Sequence, residues 1–472
     1  MADASKSAAV EIVRSLRERG YQAYLVGGCV RDLQLGREPA DYDVSTDARP
    51  EEVMRIFPKT WAVGAQFGVV LVPVESGDRE IGRSDDLKNT EAQESITRSP
   101  DHPITRCIEV ATFRSDGLYA DGRHPDQVTY SKDPREDVQR RDFTINGLLL
   151  DPITNQVLDY VGGQSDLHHE LIRTIGAPEK RFAEDKLRML RAVRFAARFG
   201  YRIDPGTMRA IQQLAPQIAQ VSRERVRDEL TKMLTEGHAR RAFELLDETG
   251  LLHEVLPEAE KMKGVEQPPE FHPEGDVWVH TLLMLEKLPP SASPTLGWGA
   301  LLHDVGKPPT FRVAPDRIRF DHHVEVGVAM AEDIARRLHM SNDDTRQIAA
   351  LVGQHMRFAD ALHMKPSTLK RFMRQPEFAE HLEMHRIDCL ASHGDLAIYE
   401  YLRKKLEETP PEQIRPQPLL TGHDLLAMGY RPGPRFREIL SAVEDAQLEG
   451  IATSREQAVE LVRREFPLPQ TG

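Results

Sequence analysis

The sequence predicts an α+β head with a small mixed sheet and helices, followed by an all-α neck and body. Up to about residue 170, β-type apolar runs alternate with turn-rich polar stretches, as in AYLVGG, FGVVLVPV, IEVATF and GLLLD. After about residue 178, apolar residues recur three and four apart, as in KLRMLRAVRFAARF, a pattern typical of amphipathic helices. The length of 472 residues fits roughly three compact units.

The change in pattern also suggests where the parts of the chain begin and end. The predicted parts are a head at 1–172, a helical neck at 173–240, a helical body at 241–405 and a helical tail at 406–472. Proline cannot continue a helix interior, so proline pairs are predicted to interrupt the helices. These pairs lie at 268–269, 289–290, 308–309 and 410–411. The polar stretch 76–103 shows no clear periodicity and is predicted to be an insertion.

Charge and composition narrow the class of protein. The formal net charge of -13 argues against general affinity for nucleic acid, because polyanion binding needs clustered Lys and Arg. No apolar run approaches the roughly 20 residues that span a bilayer, and the first residues do not resemble a signal peptide. A cytoplasmic protein without a membrane partner is therefore expected. Cys29, Cys107 and Cys389 are too far apart to predict a disulfide framework or a thiolate zinc site.

The segment YLVGGCVRDLQLGREPADYDVSTD combines a pair of glycines with a pair of aspartates. Gly27 and Gly28 follow a predicted strand and precede a short predicted helix, where backbone amides can approach a phosphate; a plain tight turn is the alternative. On an extended strand Asp41 and Asp43 would point to the same side and could hold one or two divalent cations. The alternative is a solvated loop. Glu109, on a later predicted strand, could supply a third carboxylate.

The segment RRDFTINGL carries the next group of candidate residues. Arg140 and Arg141 offer planar cationic groups for phosphate, while Asp142 and Asn146 could orient ribose or backbone groups. Without companion motifs, a surface arginine pair followed by a buried strand would explain the same residues equally well.

The segment EDKLRMLRAVRFAARF contains a candidate pair of residues for base recognition and, next to it, a stripe of arginines on a predicted helix. Asp185 and Arg188 are three apart and are predicted to share a helical face, where they could read the Watson-Crick edge of cytosine or adenine. Arg191, Arg194 and Arg198 recur on one predicted stripe that could follow phosphates. Residues 181–202 contain seven basic residues and two acids. An ordinary ion pair and a solvated face are the alternatives.

A second set of candidate ligands lies in the helical body. His303 and Asp304 stand together in WGALLHDVGK, and further imidazoles or carboxylates follow or precede them at His280, His323, His355 and Asp388. Such groups on successive helices can surround a divalent metal that activates water. A His-Asp doublet alone is usually structural.

Taken together, GGCVRD, ADYDVSTDA, RRDFTINGL, EDKLRMLRAVRFAARF and ERVRDEL resemble the class II nucleotidyltransferases, the family of tRNA CCA-adding enzymes and bacterial poly(A) polymerases. The resemblance covers about residues 20–235. It implies transfer of CMP and AMP from CTP and ATP to the tRNA 3' end without a nucleic-acid template. It further implies Mg²⁺ held by Asp41 and Asp43, with Glu109 as a third catalytic acid.

The same resemblance implies where the nucleotide binds. The implied nucleotide-binding residues are Gly27, Gly28, Arg31, Arg114, Arg141, Asp142, Asn146, Asp185, Arg188, Arg191 and Arg194. Among them, Asp185 and Arg188 are implied to select CTP and ATP.

The second set of candidate ligands resembles the HD phosphohydrolase superfamily, which makes 241–405 a predicted HD domain. The resemblance implies metal-ligand roles for His280, His303, Asp304 and Asp388. His323 and His355 would be available for a second ion or for phosphate. The implied metal is divalent, with a transition metal as one option. The implied activity is a phosphatase or phosphodiesterase, for example on 2',3'-cyclic phosphates at RNA ends; a scaffold that has lost activity is the alternative.

Several other functions share these motifs. Poly(A) polymerase is the nearest alternative, but AQFGVVLV resembles the CCA-adding strand and the chain lacks a long basic tail. The full-length segment between Arg114 and Arg141 disfavours CC-only addition, while A-only addition stays open. An HD hydrolase with an inert head and a non-catalytic RNA-binding protein belong to different classes. The tail segment LLTGHDLLAMGYRPGPRFREIL predicts either a tRNA-elbow contact or simple helix packing. The sequence does not determine the oligomeric state.

Overall fold

The computed structural model of the protein describes residues 2–61, 68–74, 107–116, 128–268, 275–315 and 317–468. The predicted insertion at 76–103 lies outside the described residues, as do 65–67 of the AQFGVVLV strand and 117–127 of the following segment. The chain falls into two compact units, Met1–Ser222 with Glu248–Glu254, and Arg223–Asp247 with Val255–Gly472.

The first unit is built on a mixed sheet. Its described strands are β1 (Ala23–Val26), β2 (Asp43–Thr46), β3 (Val69–Pro73), β4 (Cys107–Thr112), β5 (Arg114–Asp116), β6 (Val128–Tyr130), β7 (Leu148–Asp151), β8 (Gln156–Asp159), β9 (Leu171–Ile172) and β10 (Arg202–Ile203). Six of them form one sheet in the order β3-β4-β2-β1-β7-β8. In it β2 and β4 are parallel and the other neighbours antiparallel. The predicted small mixed sheet is confirmed.

The register of β2 and β4 brings two acids together at one end of the sheet. Asp43 begins β2, and its Cα partner on β4 is Glu109. Residues in register on neighbouring strands project to the same face of a sheet, so both carboxylates leave on one side. The following pair, Val44 and Val110, projects to the other face and is buried in the core.

Eight described helices up to Leu214 belong to the same unit, and two of them begin at aspartate caps. The helices are α1 (Ala2–Glu18), α2 (Gly28–Gln34), α3 (Pro50–Ile56), α4 (Pro134–Gln139), α5 (Gly163–His168), α6 (Pro178–Glu184), α7 (Leu187–Phe199) and α8 (Pro205–Leu214). Asp133 caps α4 and Asp204 caps α8. Short 3-10 helices span Thr144–Asn146 and Ala215–Gln220. Helix α7 ends because Gly200 adopts a φ of 73°, in the left-handed region that glycine tolerates.

In the described residues from Arg223 onward the chain is helical apart from one hairpin, in agreement with the predicted helical body. Its helices are α9 (Arg223–Thr235), α10 (Ala239–Glu248), α11 (Leu251–Val255), α12 (Pro257–Glu260), α13 (Val277–Glu286), α14 (Pro294–Leu302), α15 (Lys307–Thr310), α16 (His323–Arg337), α17 (Asn342–Gln354), α18 (Pro366–Met373), α19 (Phe378–Ala391), α20 (Ala397–Glu408), α21 (Pro411–Ile414), α22 (Gly422–Ala427), α23 (Pro434–Leu448) and α24 (Arg455–Glu465). A 3-10 helix spans His355–His363. Strands β11 (Phe311–Val313) and β12 (Ile318–Phe320) form an antiparallel hairpin that the sequence reading did not predict.

The predicted proline interruptions at 308–309 and 410–411 coincide with the starts of new helices, since α15 begins at Lys307 and α21 at Pro411. Pro308 and Pro309 lie in the first turn of α15, where a missing amide donor costs nothing because it would have no helical partner. In the tail, α22, α23 and α24 share a core built around Leu425, Ile439 and Val462. Among the described residues, no helix combines the length and the apolar character needed to cross a membrane.

Candidate functional sites

The acidic end of the sheet gathers the three predicted head carboxylates. Asp43 is half-buried at the start of β2, whereas Asp41 lies exposed in the bend just before the strand. Burial, and next the negative charge of Glu109, raise the pKa of Asp43 to about 6; Arg141 opposes this shift and Asp41 adds to it. The expectation that Asp41 sits on the extended strand is therefore wrong, although its charge still acts on Asp43.

The glycine turn between β1 and α2 is flanked by two guanidinium groups. Gly27 adopts a φ of 76°, and a Cβ at this position would lie 3.2 Å from Nη1 of Arg141. A Cβ on Gly28 would lie 3.6 Å from Nη2 of Arg31. Both glycines thus let the backbone lie close to a cation, and Gly27 also needs the left-handed conformation that side chains disfavour.

Asp137, which the sequence reading did not single out, anchors the arginine pair. Its buried carboxylate accepts hydrogen bonds from Arg140 at 2.7 Å and from Arg141 at 3.0 Å, and Ser45 on β2 donates to it at 3.2 Å. Although burial acts to raise the pKa of Asp137, the charges of Arg141 and Arg140 hold it at about 2. Its spacing of three and four from the arginines on a helix was the available signal.

A buried hydrogen-bond network joins three of the predicted motifs. Arg31 Nη1 donates to Asn146 Oδ1 at 2.7 Å, and Asn146 Nδ2 donates to Asp142 Oδ1 at 3.1 Å. Asp142 Oδ2 in turn accepts from Arg191 Nε at 2.8 Å. Burial acts to raise the pKa of Asp142, but the charge of Arg191 and the hydrogen bond from Asn146 keep it at about 2. These four predicted nucleotide-binding residues therefore form one connected unit.

The arginine stripe of α7 packs against aromatic rings and is not a solvated face. Arg194 is only 6% exposed, and its guanidinium lies 4.4 Å from the centre of the Phe195 ring. Phe199 is approached by Arg31 at 4.6 Å and by Arg198 at 5.6 Å. Phe195 and Phe199 each follow an arginine of the stripe by one position, and they cover the guanidinium faces of Arg194 and Arg198, a contact that was not predicted from the sequence.

The predicted base-reading pair does not share a helical face. Asp185 adopts extended backbone angles between α6 and α7, and its Oδ1 accepts from the amide of Leu187 at 3.0 Å. Arg188, in the first turn of α7, donates to Glu184 Oε2 at 2.8 Å and to the carbonyl of Arg140 at 3.2 Å. Asp185 follows the last residue of α6, whereas Arg188 lies in the first turn of α7. Their spacing of three residues therefore spans a helix boundary and does not place both side chains on one helical face. Arg114 lies at the start of β5, where it pairs in register with Tyr130.

The second unit holds the histidine–aspartate cluster, which we define as His280, His303, Asp304, His323, His355 and Asp388. His280 lies on α13 and Asp388 on α19, while the other four stand at the end of α14, the start of α16 and the end of α17. The His280 Nε2 atom lies 3.1 Å from Asp388 Oδ1. All six residues that the sequence predicted are thus brought together.

Asp304 is the residue that two possible metal sites share. In one group, ligand atoms of His280, His303 and Asp304 lie within 4.8 Å of one another; in the other, those of Asp304, His323 and His355 do. The distances from Asp304 are 3.1 Å to His303 Nε2, 3.9 Å to His323 Nε2 and 3.7 Å to His355 Nε2. These are the three-ligand groups present in the described part of the chain.

Three of the four histidines of the cluster have the tautomer that a metal ligand requires. Nδ1 of His303, His323 and His355 each contacts the backbone carbonyl three residues earlier, at 2.9, 2.9 and 2.6 Å. A carbonyl can only accept, so Nδ1 carries the proton and Nε2 keeps its lone pair. Within the described residues, these three buried Nε2 atoms have no hydrogen-bond partner. The donor set of imidazoles and a carboxylate fits a divalent metal.

The charge state of the cluster supports the same conclusion. Burial lowers the pKa of His355 to about 4 and also lowers that of His323, so both rings are neutral near pH 7. Burial alone would raise the pKa of Asp304, but His303 and Lys307 hold it well below its usual range. Neutral imidazole and ionised carboxylate are the forms that bind metal.

Lys307 is a residue of this site that the sequence reading missed. It is 7% exposed, and its Nζ lies 2.6 Å from both Asp304 Oδ2 and Gln267 Oε1. A lysine three residues after the aspartate, in HDVGK, was the available signal, because that spacing returns to the same side of a helical turn.

Family models match most of the chain. Those found are the poly(A) polymerase head domain at residues 23–91 and 82–173, the probable RNA and SrmB-binding site of polymerase A at 200–263, and the HD domain at 276–406. Fold and site together thus define a protein with a nucleotidyltransferase-type head and an HD-type body.

Individual relatives show to which family within this class of proteins the chain belongs. The chain is 31% identical over 459 residues to the CCA-adding enzyme of Lactobacillus gasseri, with 96% of each chain covered. It is 42% identical over 243 residues to that of Geobacillus stearothermophilus, a match that spans only about half the length of that relative, 53%. The crystal structure of the Bacillus stearothermophilus CCA-adding enzyme in complex with CTP superimposes with a TM-score of 0.71, at 27% identity and 97% coverage of both chains. The chain belongs to the family of CCA-adding enzymes.

Proposed function

We propose that the protein adds CMP and AMP, from CTP and ATP, to the 3' end of tRNA without a nucleic-acid template. The observation that carries this proposal is the pairing of Asp43 with Glu109 at the sheet end, beside a glycine turn flanked by Arg31 and Arg141. The carboxylates that could bind a metal and the guanidinium groups that could bind phosphates therefore lie in the same compact unit. The full-length relative from Lactobacillus gasseri supports CCA addition over poly(A) addition.

Mg²⁺ is the metal that best fits the head carboxylates. Carboxylate oxygens are its preferred protein ligands, and burial together with the negative charges of Glu109 and Asp41, which raise the pKa of Asp43, favours a cation among these three residues. When bound, Mg²⁺ would reduce the electrostatic repulsion between the attacking hydroxyl oxygen and the negatively charged triphosphate. Asp41 and Asp43 would hold it, and Glu109 would add negative charge behind Asp43.

The remaining head residues bind and orient the nucleotide in this proposal. Arg31 and Arg141 neutralise the triphosphate next to the open backbone of Gly27 and Gly28. The tRNA 3'-hydroxyl group then loses its proton to solvent, and its oxygen forms a bond to the α-phosphorus. The bond from that phosphorus to the bridging oxygen breaks, and pyrophosphate leaves with the electron pair. Asn146 keeps Arg31 in place during this displacement.

Base selection is assigned to Asp185 and Arg188. A carboxylate accepts from the exocyclic amine of cytosine or adenine, and a guanidinium donates to the ring acceptor beside it. Arg188 contacts Glu184 and the backbone carbonyls of Arg181 and Arg140, so nucleotide binding would exchange one of these contacts for the base. Replacing Asp185 with Asn should relax discrimination against UTP and GTP in a primer-extension assay with all four nucleotides.

We also propose the four-part division of the chain at 1–172, 173–240, 241–405 and 406–472, with the tail as a tRNA contact. Gly433 precedes α23 and Pro434 is its first residue, so a glycine–proline pair lies at the start of this helix of the tail. Because tRNA would be the substrate, a cytoplasmic location follows from the proposal.

The nucleotide-addition experiment offers the protein three RNAs: tRNA ending at its discriminator base, tRNA ending in CC, and an unstructured RNA. CTP, ATP or both are supplied with Mg²⁺, and the products are sequenced. Addition that stops at CCA supports the proposal, whereas long adenosine tails on unstructured RNA would identify a poly(A) polymerase. Asp41→Ala and Asp43→Ala should each abolish addition.

We infer a second activity, phosphoester hydrolysis, at the histidine–aspartate cluster. The observation that favours it is the set of buried Nε2 atoms on His303, His323 and His355 around Asp304. A divalent metal held there would activate water for attack on phosphorus. His280 and Asp388 complete the ligand set, and Lys307 places a positive charge next to the carboxylate of Asp304.

The hydrolase experiment uses RNAs that end in a 2',3'-cyclic phosphate or in a 2'- or 3'-phosphate, in the absence of CTP and ATP. Asp304→Asn should remove hydrolysis and retain nucleotide addition, and Asp41→Ala should do the reverse. Loss of both activities in either variant would contradict two separate sites.

A further inference from the structure

Gln267 lies next to the histidine–aspartate cluster and belongs to none of the motifs that the sequence analysis identified. Its Oε1 atom accepts a hydrogen bond from Nζ of Lys307 at 2.6 Å, and the same Nζ lies 2.6 Å from Asp304 Oδ2. Gln267, Lys307 and Asp304 are all buried, with exposed fractions of 5%, 7% and 2%. One buried ammonium group is therefore held between a candidate metal ligand and a neutral amide.

The chemistry of Lys307 fixes the orientation of the Gln267 amide. An ammonium group can only donate, so Oε1 of Gln267 faces it and Nε2 points away. Within the described residues, this Nε2 is buried and has no hydrogen-bond partner. An apolar side chain of similar size would fill the same place without leaving a buried donor unpaired. Packing alone therefore does not account for an amide at this position.

The segment that carries Gln267 is attached to a helix of the cluster. The amide of Gly264 donates to Asp276 Oδ2 at 2.7 Å, and Asp276 Oδ1 caps α13 by accepting from the amide of Val279 at 2.8 Å. Helix α13 also carries His280. Gln267 and this histidine are therefore positioned by the same short stretch of chain.

The two carboxylate oxygens of Asp304 have different neighbours. Oδ1 lies 3.9 Å from His323 Nε2 and 3.7 Å from His355 Nε2. Oδ2 lies 3.1 Å from His303 Nε2 and is also the oxygen that Lys307 contacts. A divalent cation bound through Oδ2 would compete with the Lys307 ammonium for that oxygen, because both are positively charged.

We propose that Gln267 is a positioning residue of the metal centre, which holds the Lys307 ammonium when Asp304 binds a divalent cation. The inference rests on the proposed hydrolase, because that activity requires a metal at the cluster. With Gln267 in place, an ammonium that gives up Asp304 keeps one acceptor. Without Gln267, the ammonium would lose both of its described acceptors on metal binding, and the affinity for the metal would fall.

The test measures the affinity of the full-length chain for Mn²⁺ by equilibrium dialysis. Only the Mn²⁺ that Asp304→Asn removes is counted as bound to the cluster, since the head carboxylates can also hold a cation. Gln267→Leu has no acceptor and should weaken this binding about tenfold, the scale of one hydrogen bond to a charged group. Gln267→Glu retains an acceptor oxygen and should not weaken it. Gln413→Leu, the same change at an exposed position, is the control.

A double-mutant cycle with Lys307→Met determines whether Gln267 acts through the ammonium. In the Lys307→Met background there is no ammonium to hold, so Gln267→Leu should not change the Mn²⁺ affinity further. A purely structural role of Gln267 would weaken binding equally in both backgrounds. Circular dichroism and thermal unfolding establish that each variant is folded, and Gln267→Ala replaces Gln267→Leu in the cycle if the leucine variant is not.

The outcomes separate this inference from the proposed hydrolase. A weakening by Gln267→Leu that disappears in the Lys307→Met background supports the inference. If Gln267→Leu does not weaken Mn²⁺ binding, or weakens it equally in both backgrounds, Gln267 is not a positioning residue and the hydrolase proposal stands. If Asp304→Asn removes no Mn²⁺, the cluster binds no metal, and the hydrolase proposal and this inference fail together.

Discussion

Arg31 and Asn146 lie 115 residues apart in the sequence and are joined by a buried hydrogen bond of 2.7 Å. Asn146 also donates to Asp142, so its amide connects the helix after the glycine turn with the segment that contacts α7. Arg31 is thereby fixed by a residue that no local pattern relates to it. The proposed triphosphate contact of Arg31 depends on this amide.

Asn146→Ala is expected to weaken nucleotide binding more than the chemical step. The change leaves the buried groups of Arg31 and Asp142 each one partner short, a cost of about 1–3 kcal/mol in folding free energy. The KM for CTP should rise severalfold with a smaller change in kcat. Steady-state CTP addition and urea unfolding measure these effects. Gln156→Ala, at an exposed position of the same sheet, is the control; matching values for the two variants would refute the positioning role.

Phe199→Leu tests whether the aromatic ring holds the surrounding guanidinium groups. Arg31, Arg37 and Arg198 approach this ring at 4.6, 5.6 and 5.6 Å. Leucine keeps an apolar side chain but loses the attraction of the ring face, about 0.5–2 kcal/mol for a cation–π contact. The KM for CTP should increase, and Phe199→Tyr should restore it. Equal kinetics for leucine and tyrosine would show that only packing matters.

Asp137 is expected to make the head sensitive to acid. The folded pKa of about 2 lies below the value of about 3.9 for an unfolded aspartate, so the carboxylate stabilises the head above about pH 4. That contribution, on the order of 2 kcal/mol, is lost as the pH falls through about 2.

The measurement compares Asp137→Asn with the unaltered chain by urea unfolding at pH 7, 5 and 3, with pulse-labelling hydrogen exchange to resolve the two units. The stability difference should be largest at pH 7 and should shrink at pH 3. Glu38→Gln, at an exposed position, is the control and should leave the pH profile unchanged. A difference that does not vary with pH would contradict the assignment.

Asp304→Asn should reduce metal binding at the histidine–aspartate cluster. Both candidate groups of three ligands include Asp304, so a single change affects each of them. An amide lacks the negative charge that a divalent cation favours, and affinity should fall at least about tenfold. Metal content after Mn²⁺ loading and dialysis measures this directly. The exposed Asp360→Asn serves as the control; unchanged metal content in Asp304→Asn would place the metal elsewhere.

Sequence reasoning succeeded where a motif is local. Strands β1, β3, β4 and β7, the glycine turn and the amphipathic helix α7 follow from runs of fewer than 20 residues, because period and turn chemistry act over short distances. It also identified all six members of the histidine–aspartate cluster, since the resemblance supplied their order. It failed for Asp185, because helix periodicity does not reveal where one helix ends and the next begins. It likewise missed Asp137 and Lys307, because their ion-pair partners can be identified only from the folded structure, in which these charged groups are buried.

By itself, the sequence determined the α+β head, the helical remainder and the residue types that can perform the chemistry. Hydrophobic period and glycine or proline conformations are properties of neighbouring residues, so they can be read along the chain. The tertiary structure alone decided that Asp43 stands in register with Glu109, that Asn146 holds Arg31, and that α7 arginines lie on phenylalanine rings. These relationships depend on strand register and long-range packing, which no local interaction specifies.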